Sequence, residues 1–161
     1  MHGADRIGGL SSANGLVFGE RAGISAALAA ITAPEPADFC KFYMLGAVGC
    51  EKRFRTLQQL MTENAMVNRN EEGLRKAIQG VRSLAHGMHM QVTENVPQIT
   101  ATRRLQGQLK TAMSILLAQQ LRKESRGSHY REDYPAENPE LAKRILISQG
   151  ESGLEAQFEK C

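Results

Sequence analysis

At 161 residues with a hydrophobic fraction of 42%, the chain has the mass for one ordinary domain, or a small domain plus a piece of another, with a core of its own. Aromatic residues make up 5% and Trp is absent, which disfavours a β-sandwich and suits helices packed through aliphatic side chains. The net charge of +3 comes from acids and bases interspersed through 51–55, 71–76 and 122–126, not from the gathered basic stripe of a nucleic-acid binder, and Cys40, Cys50 and Cys161 form no CxxC pair that would suggest a zinc knuckle or a disulfide scaffold.

Residues 1–13 read as loop, with Gly3, Gly8, Gly9 and the pair Ser11-Ser12 preceding any periodic pattern. Either serine can cap the following helix by accepting a bond from an unpaired backbone N–H. The pattern predicts that helix over 14–31, ended by Pro34 and Pro36. Its Ala- and Leu-rich run holds Glu20 and Arg21, which argues against a secretory h-region and against a membrane span, so a cytoplasmic chain is expected, without direct membrane insertion. Gly15, Gly19 and Gly23 recur every fourth residue down one helix face. Together they cost roughly 2–3 kcal/mol against alanines, which implies a close neighbour on that face.

The segment Pro34-Glu-Pro36 is the predicted domain boundary. Beyond it the spacing predicts three amphipathic helices, over 38–65, 71–90 and 101–125. Their stripes are Phe54, Leu57, Leu60 and Met61; Leu74, Ile78, Val81, Leu84 or Ala85, and Met88; and Leu105, Leu109, Ala112, Met113, Leu116 and Leu117. The joints fall at 67–70 and 91–100, the second broken by Pro97. Such helices with short joints make an antiparallel three-helix bundle. The methionines Met61, Met88 and Met113 read as core packing. His86 and His89 read as ordinary helix residues, since no carboxylate or Cys completes a metal site near them. After a polar loop at 124–135, the runs 144–148 and 154–159 flank a Gly-bearing turn and predict a β-hairpin.

Two segments carry a family resemblance. The opening His2-Gly3-Ala4-Asp5-Arg6-Ile7-Gly8-Gly9-Leu10-Ser11-Ser12, followed by Val17-Phe18-Gly19, resembles the last flavin-contacting stretch of the succinate dehydrogenase/fumarate reductase flavoproteins, a family that includes L-aspartate oxidase. The run Glu124-Ser125-Arg126-Gly127-Ser128-His129, with Arg131-Glu132-Asp133-Tyr134-Pro135 behind it, resembles the loop after the helical bundle in the same proteins. Both occur in the family's order, separated by a bundle of suitable length.

The resemblance implies a mainly α chain divided at 1–36, the end of an FAD-binding domain (flavin loop plus helix); 37–135, a C-terminal helical bundle and loop; and 136–161, a tail with the hairpin. It implies FAD as the cofactor of the parent protein, bound through Ser11 and Ser12, with Arg6 gripping a substrate carboxylate by two parallel bonds during hydride transfer. Asp5 stands where the family has Asn, which puts a carboxylate beside Arg6. Arg126 and His129 are expected to pin their loop to the FAD-binding domain.

No GxGxxG follows a strand here, so the chain alone is expected to bind no FAD and to be inactive. Its expected partners are the N-terminal FAD-binding and capping domains and a second copy of itself through residues 14–31. An iron–sulfur subunit, and with it a place at the inner face of a membrane, is left open by the resemblance. The alternative reading is a stand-alone helical interaction module that kept the fold and lost the flavin chemistry.

Overall fold

The computed structural model describes residues 10–32, 44–151 and 153–159. The chain divides into two compact units, Met1–Phe42 and Tyr43–Cys161. What is described of the first is one helix, α1, Leu10–Thr32. It begins four residues before the predicted start, so Ser11 and Ser12 lie inside its first turn and neither precedes the helix as a cap. Nothing in Leu10-Ser11-Ser12-Ala13 blocks helical dihedrals, and first-turn amides need no intrahelical acceptor. The positions a Cβ would take on Gly15, Gly19 and Gly23 are open. The Pro34-Glu-Pro36 linker lies outside the described residues.

The second unit is a bundle of α2 (Cys50–Ala65), α3 (Glu71–His86) and α4 (Val96–Leu121), each packed on the other two. The buried positions reproduce the predicted stripes. Leu74, Ala77, Ile78 and Val81 line α3 at helical spacing, facing Leu105, Leu109, Ala112 and Leu116 of α4 and Leu57 of α2 in one core. Met61, Met88 and Met113 pack against that core. Full burial of a leucine such as Leu74 or Leu116 contributes about 1.5–3 kcal/mol.

Four predicted boundaries of the bundle helices move, one of them the end of α4, at Leu121 instead of 125. The front half of the 38–65 pattern is no helix where it is described: Met44–Ala47 forms strand β1, antiparallel to β3 (Met90–Thr93), with Leu45 opposite Val92. Gly49, at φ 75°, takes the left-handed turn from β1 into α2, a conformation costly to any residue with a Cβ. The same strand pairing ends α3 at His86, which leaves His89 outside the helix. Later in the same joint, α4 starts at Val96 because Pro97 sits in its first turn, where a missing N–H costs nothing. Asn95 caps it, accepting from the Gln98 amide at 3.0 Å.

The buried Thr102 hydroxyl accepts from the Ala47 amide at 2.8 Å and donates to the Gln98 carbonyl at 2.7 Å, which fastens β1 to α4. The predicted hairpin is present as β5 (Ile145–Gly150) and β6 (Gly153–Phe158), with Ile147 opposite Ala156, and β6 packs on α4.

Candidate functional site

The polar loop after α4 folds around two buried charges. Glu124 is fully buried. One carboxylate oxygen accepts from Arg122 Nη1 at 2.6 Å and Arg126 Nε at 3.1 Å, the other from Arg126 Nη2 at 3.0 Å and the Asn138 amide at 2.8 Å. Burial pushes this carboxyl up, but the bonds from Arg126, the Asn138 amide and Arg122 outweigh it and hold it down at about 2. Its partners reach onward. Arg122 donates to the carbonyls of Leu141 and Lys143, both at 2.7 Å, and lies over the Phe158 ring, which binds the hairpin to the end of α4. Arg126 also pairs with Glu137 at 3.2 Å.

The second charge is Arg131, in the short strand β4 (Tyr130–Arg131) that pairs in parallel with β2 (Asn68–Arg69). Its buried guanidinium donates to both Asp133 oxygens, to Glu71 Oε2 at 3.2 Å and to the Gln119 carbonyl at 3.0 Å, and covers the Tyr134 ring. The hydrogen bonds from Arg131 hold the Asp133 carboxyl at about 2. Asp133 Oδ2 in turn accepts from the Glu71 amide at 2.9 Å, in the first turn of α3 beside the capping residue Asn70. A carboxylate there also complements the helix dipole. Glu71 Oε1 accepts from Gln120 at 2.9 Å, so the loop ties the end of α4 to the start of α3.

Of the residues the sequence singled out, Arg126 and His129 fall inside this network. Their described bonds run within the chain: each donates its backbone N–H to the other's carbonyl, and His129 Nε2 sits 3.2 Å from the Arg122 carbonyl. A carbonyl only accepts, so Nε2 carries the proton. Burial lowers the imidazole pKa, with Arg69, Arg122 and Arg131 adding to the fall, and the Arg122 carbonyl opposes it. Ser11 and Ser12 are in the first turn of α1. Arg6 lies outside the described residues.

Sequence reasoning underweighted Glu124, Arg131 and Asp133. The signal was the density of opposite charges within 122–133, where acid and base alternate too closely for a plain connector. Chemically, the network fixes position. Glu124 and Asp133 face guanidinium groups and stay ionised at neutral pH, burial favours the neutral His129 imidazole, and the hydrogen bonds among these groups hold the loop.

Comparison with known proteins agrees with this architecture. A family profile for the fumarate reductase flavoprotein C-terminus matches residues 54–160. The chain is 30% identical to one of the subunits of fumarate reductase (CoM/CoB) from Methanothermobacter marburgensis, over 98% of this chain and 31% of the relative. It is 32% identical to an L-aspartate oxidase from Mycobacterium leprae, over 91% of this chain and 26% of the relative. Among solved structures, the Mycobacterium smegmatis Sdh1 complex in the apo form is similar in fold, with a TM-score of 0.70 and 22% identity over 99% of this chain and 30% of that one. The chain therefore spans about a third of the length of such relatives. With the loop network, the hairpin and all of the bundle but the first turn of α2 inside the matched region, the chain belongs to the fumarate reductase flavoprotein C-terminal family.

Proposed function

We propose that this chain is the C-terminal portion of an FAD-dependent oxidoreductase of the fumarate reductase/succinate dehydrogenase type, transferring hydride between flavin and a dicarboxylate, and that it is not catalytic by itself. The observation that carries the reading is the family match across 54–160, in which the loop around Glu124 and Arg131 falls.

Bound FAD supplies the redox chemistry. This chain's share is binding and orientation. Helix α1 starts at Leu10, so the amides of Ser11 and Ser12 fall in a first turn whose N–H groups lack intrahelical acceptors. Such amides, at the positive end of a helix, suit the negative charge of a reduced flavin ring. Arg6 supplies a planar guanidinium that can hold a carboxylate by two parallel bonds and so set its angle as well as its distance. Arg126 and His129 keep the loop in one shape, and that shape is what the FAD-binding domain meets.

The adenine and pyrophosphate contacts belong to a GxGxxG-bearing domain that this sequence does not contain. The partners are accordingly the N-terminal FAD-binding and capping domains of the parent. An iron–sulfur subunit is a further partner that the family resemblance implies, and any place at the inner face of a membrane would come through it. Among the described residues, no helix is long and apolar enough to cross a membrane.

Purification of the chain in the presence of FAD tests the reading. The expected preparation is colourless and without fumarate reductase activity, and both properties appear when the missing domains are restored. Stoichiometric flavin on the chain alone would overturn it.

A further inference from the structure

A groove of about 1030 Å³ runs between α3, α4 and the β5–β6 hairpin, away from the Glu124 and Arg131 network. Its floor is apolar, formed by Met88, Met113, Leu117 and Leu154. Its rim carries Arg82, His86, Arg103 and Lys110, and none of the lining residues is Asp or Glu. Arg82, Arg103 and Lys110 are exposed and make no ion pair with any described residue, in a chain whose other arginines often find carboxylates. Arg103 and Lys110 stand seven residues apart on α4, or about 10.5 Å along the helix axis. Two carboxylates spaced along one segment can meet both at once. Methionine-rich apolar surface accepts varied side chains, and a cationic rim around it selects for negative charge.

We propose that this groove is a docking site for an acidic polypeptide segment of another protein, with apolar anchors seated on the Met88–Met113–Leu117 floor and carboxylates spaced to meet Arg82, Arg103 and Lys110. The anchors supply burial, and the rim supplies register and sign discrimination. The occupant is a helix or strand with several charges, because Arg103 and Lys110 are spread along two turns of α4 and Arg82 lines the same groove from α3. This inference does not depend on the flavin chemistry, since the groove lies wholly within the second unit.

The test uses the full chain and a fluorescein-labelled synthetic peptide of about four helical turns, with Leu at positions i, i+3, i+4 and i+7 and Glu elsewhere. Anisotropy is expected to show saturable binding that weakens as salt is raised. The double variant Arg82→Glu/Lys110→Glu should bind about tenfold more weakly or worse, while a Lys-for-Glu counterpart of the peptide should not bind the wild type. Methyl resonances of Met88 and Met113 in the wild-type chain give a readout that requires no variant to fold, and they should shift on titration. Equal affinity for the two peptides, undiminished binding by the double variant, or shifts confined to other residues would each overturn the proposal. So would binding of inorganic pyrophosphate that depends on Arg82 and Lys110 in the absence of any binding of the acidic peptide.

Discussion

Arg131 and Asp133 meet side on, Nε to Oδ1 at 2.8 Å and Nη2 to Oδ2 at 2.7 Å, so that two parallel hydrogen bonds join a fully buried guanidinium to a carboxylate two residues away. The pair is held as a unit, because Asp133 also accepts from the Glu71 amide and Arg131 also donates to Glu71 and Gln119. Two-pronged geometry of this kind is specific to arginine. Lysine at 131 would keep the charge but cannot span both oxygens and reach Gln119 as well.

Arg131→Ala is therefore expected to destabilise the bundle by about 1–3 kcal/mol, since it takes the donors from Asp133, Glu71 and the Gln119 carbonyl while both carboxylates keep partial access to water. Arg131→Lys should recover only part of that loss. Urea denaturation followed by circular dichroism checks both, and a loss under about 1 kcal/mol for Arg131→Ala would show that the loop is not a structural tie.

Acid should open the same loop. The Glu124 and Asp133 carboxyls lie at about 2 in the fold, against ordinary values of 4.5 and 3.8. A depressed folded pKa contributes stability that is fully present above the ordinary value and lost as pH falls through the folded one. Stability should thus hold down to about pH 5 and fall between pH 4.5 and 2. Glu124→Gln should lower stability at neutral pH and flatten this acid limb. An unchanged limb in the variant would remove Glu124 from the account.

In the reconstituted parent, Arg6→Lys should reduce turnover by about 100-fold while flavin stays bound, because the cost is one of angle and position and not of charge. Steady-state kinetics beside the flavin absorbance spectrum checks this. Unchanged turnover with intact flavin would take Arg6 out of the substrate site.

Helix α1 presents Leu16, Val17, Phe18, Ile24 and Leu28 to solvent, with Leu16 77% exposed. In the parent that surface is proposed to lie against the FAD-binding domain. In the chain alone it should drive self-association, with Gly15, Gly19 and Gly23 allowing close approach. Sedimentation of the full chain beside a version beginning at Pro36 decides the matter. The expected result is a dimer that becomes a monomer when α1 is removed. Monomers in both would sink it.

The bundle was legible because its helices carry their stripes in sequence: the spacing of Leu74, Ile78 and Val81 is enough by itself to mark a buried helix face. Strand β1 was not, because Met44-Leu-Gly-Ala is too short for periodicity to separate strand from helix, and its partner Met90–Thr93 is distant in sequence. Pro97 misled for a different reason: the same residue that breaks a helix interior is favoured in the first turn, and only Asn95 as a cap distinguishes the two cases. The site was half legible. Arg126 and His129 stood out by resemblance, whereas the burial of Glu124 and Arg131 depends on which helix ends meet, and that is a property of the assembled bundle.

The bond from the Glu71 amide to Asp133 has a consequence for the order in which the chain can fold. Helices α2, α3 and α4 emerge from the ribosome ahead of residue 133, so the nascent bundle has its apolar stripes but at first lacks the clasp at the start of α3. At roughly 5–20 residues per second the loop follows α4 within a second or two, a brief interval for an unlocked intermediate. Closing the clasp requires a contact of long sequence separation, which is slow to find compared with local helix pairing. The hairpin and loop are thus the last parts to set. In the cell, a chain stalled or cleaved just after α4 would present three loosely joined helices to proteases and chaperones.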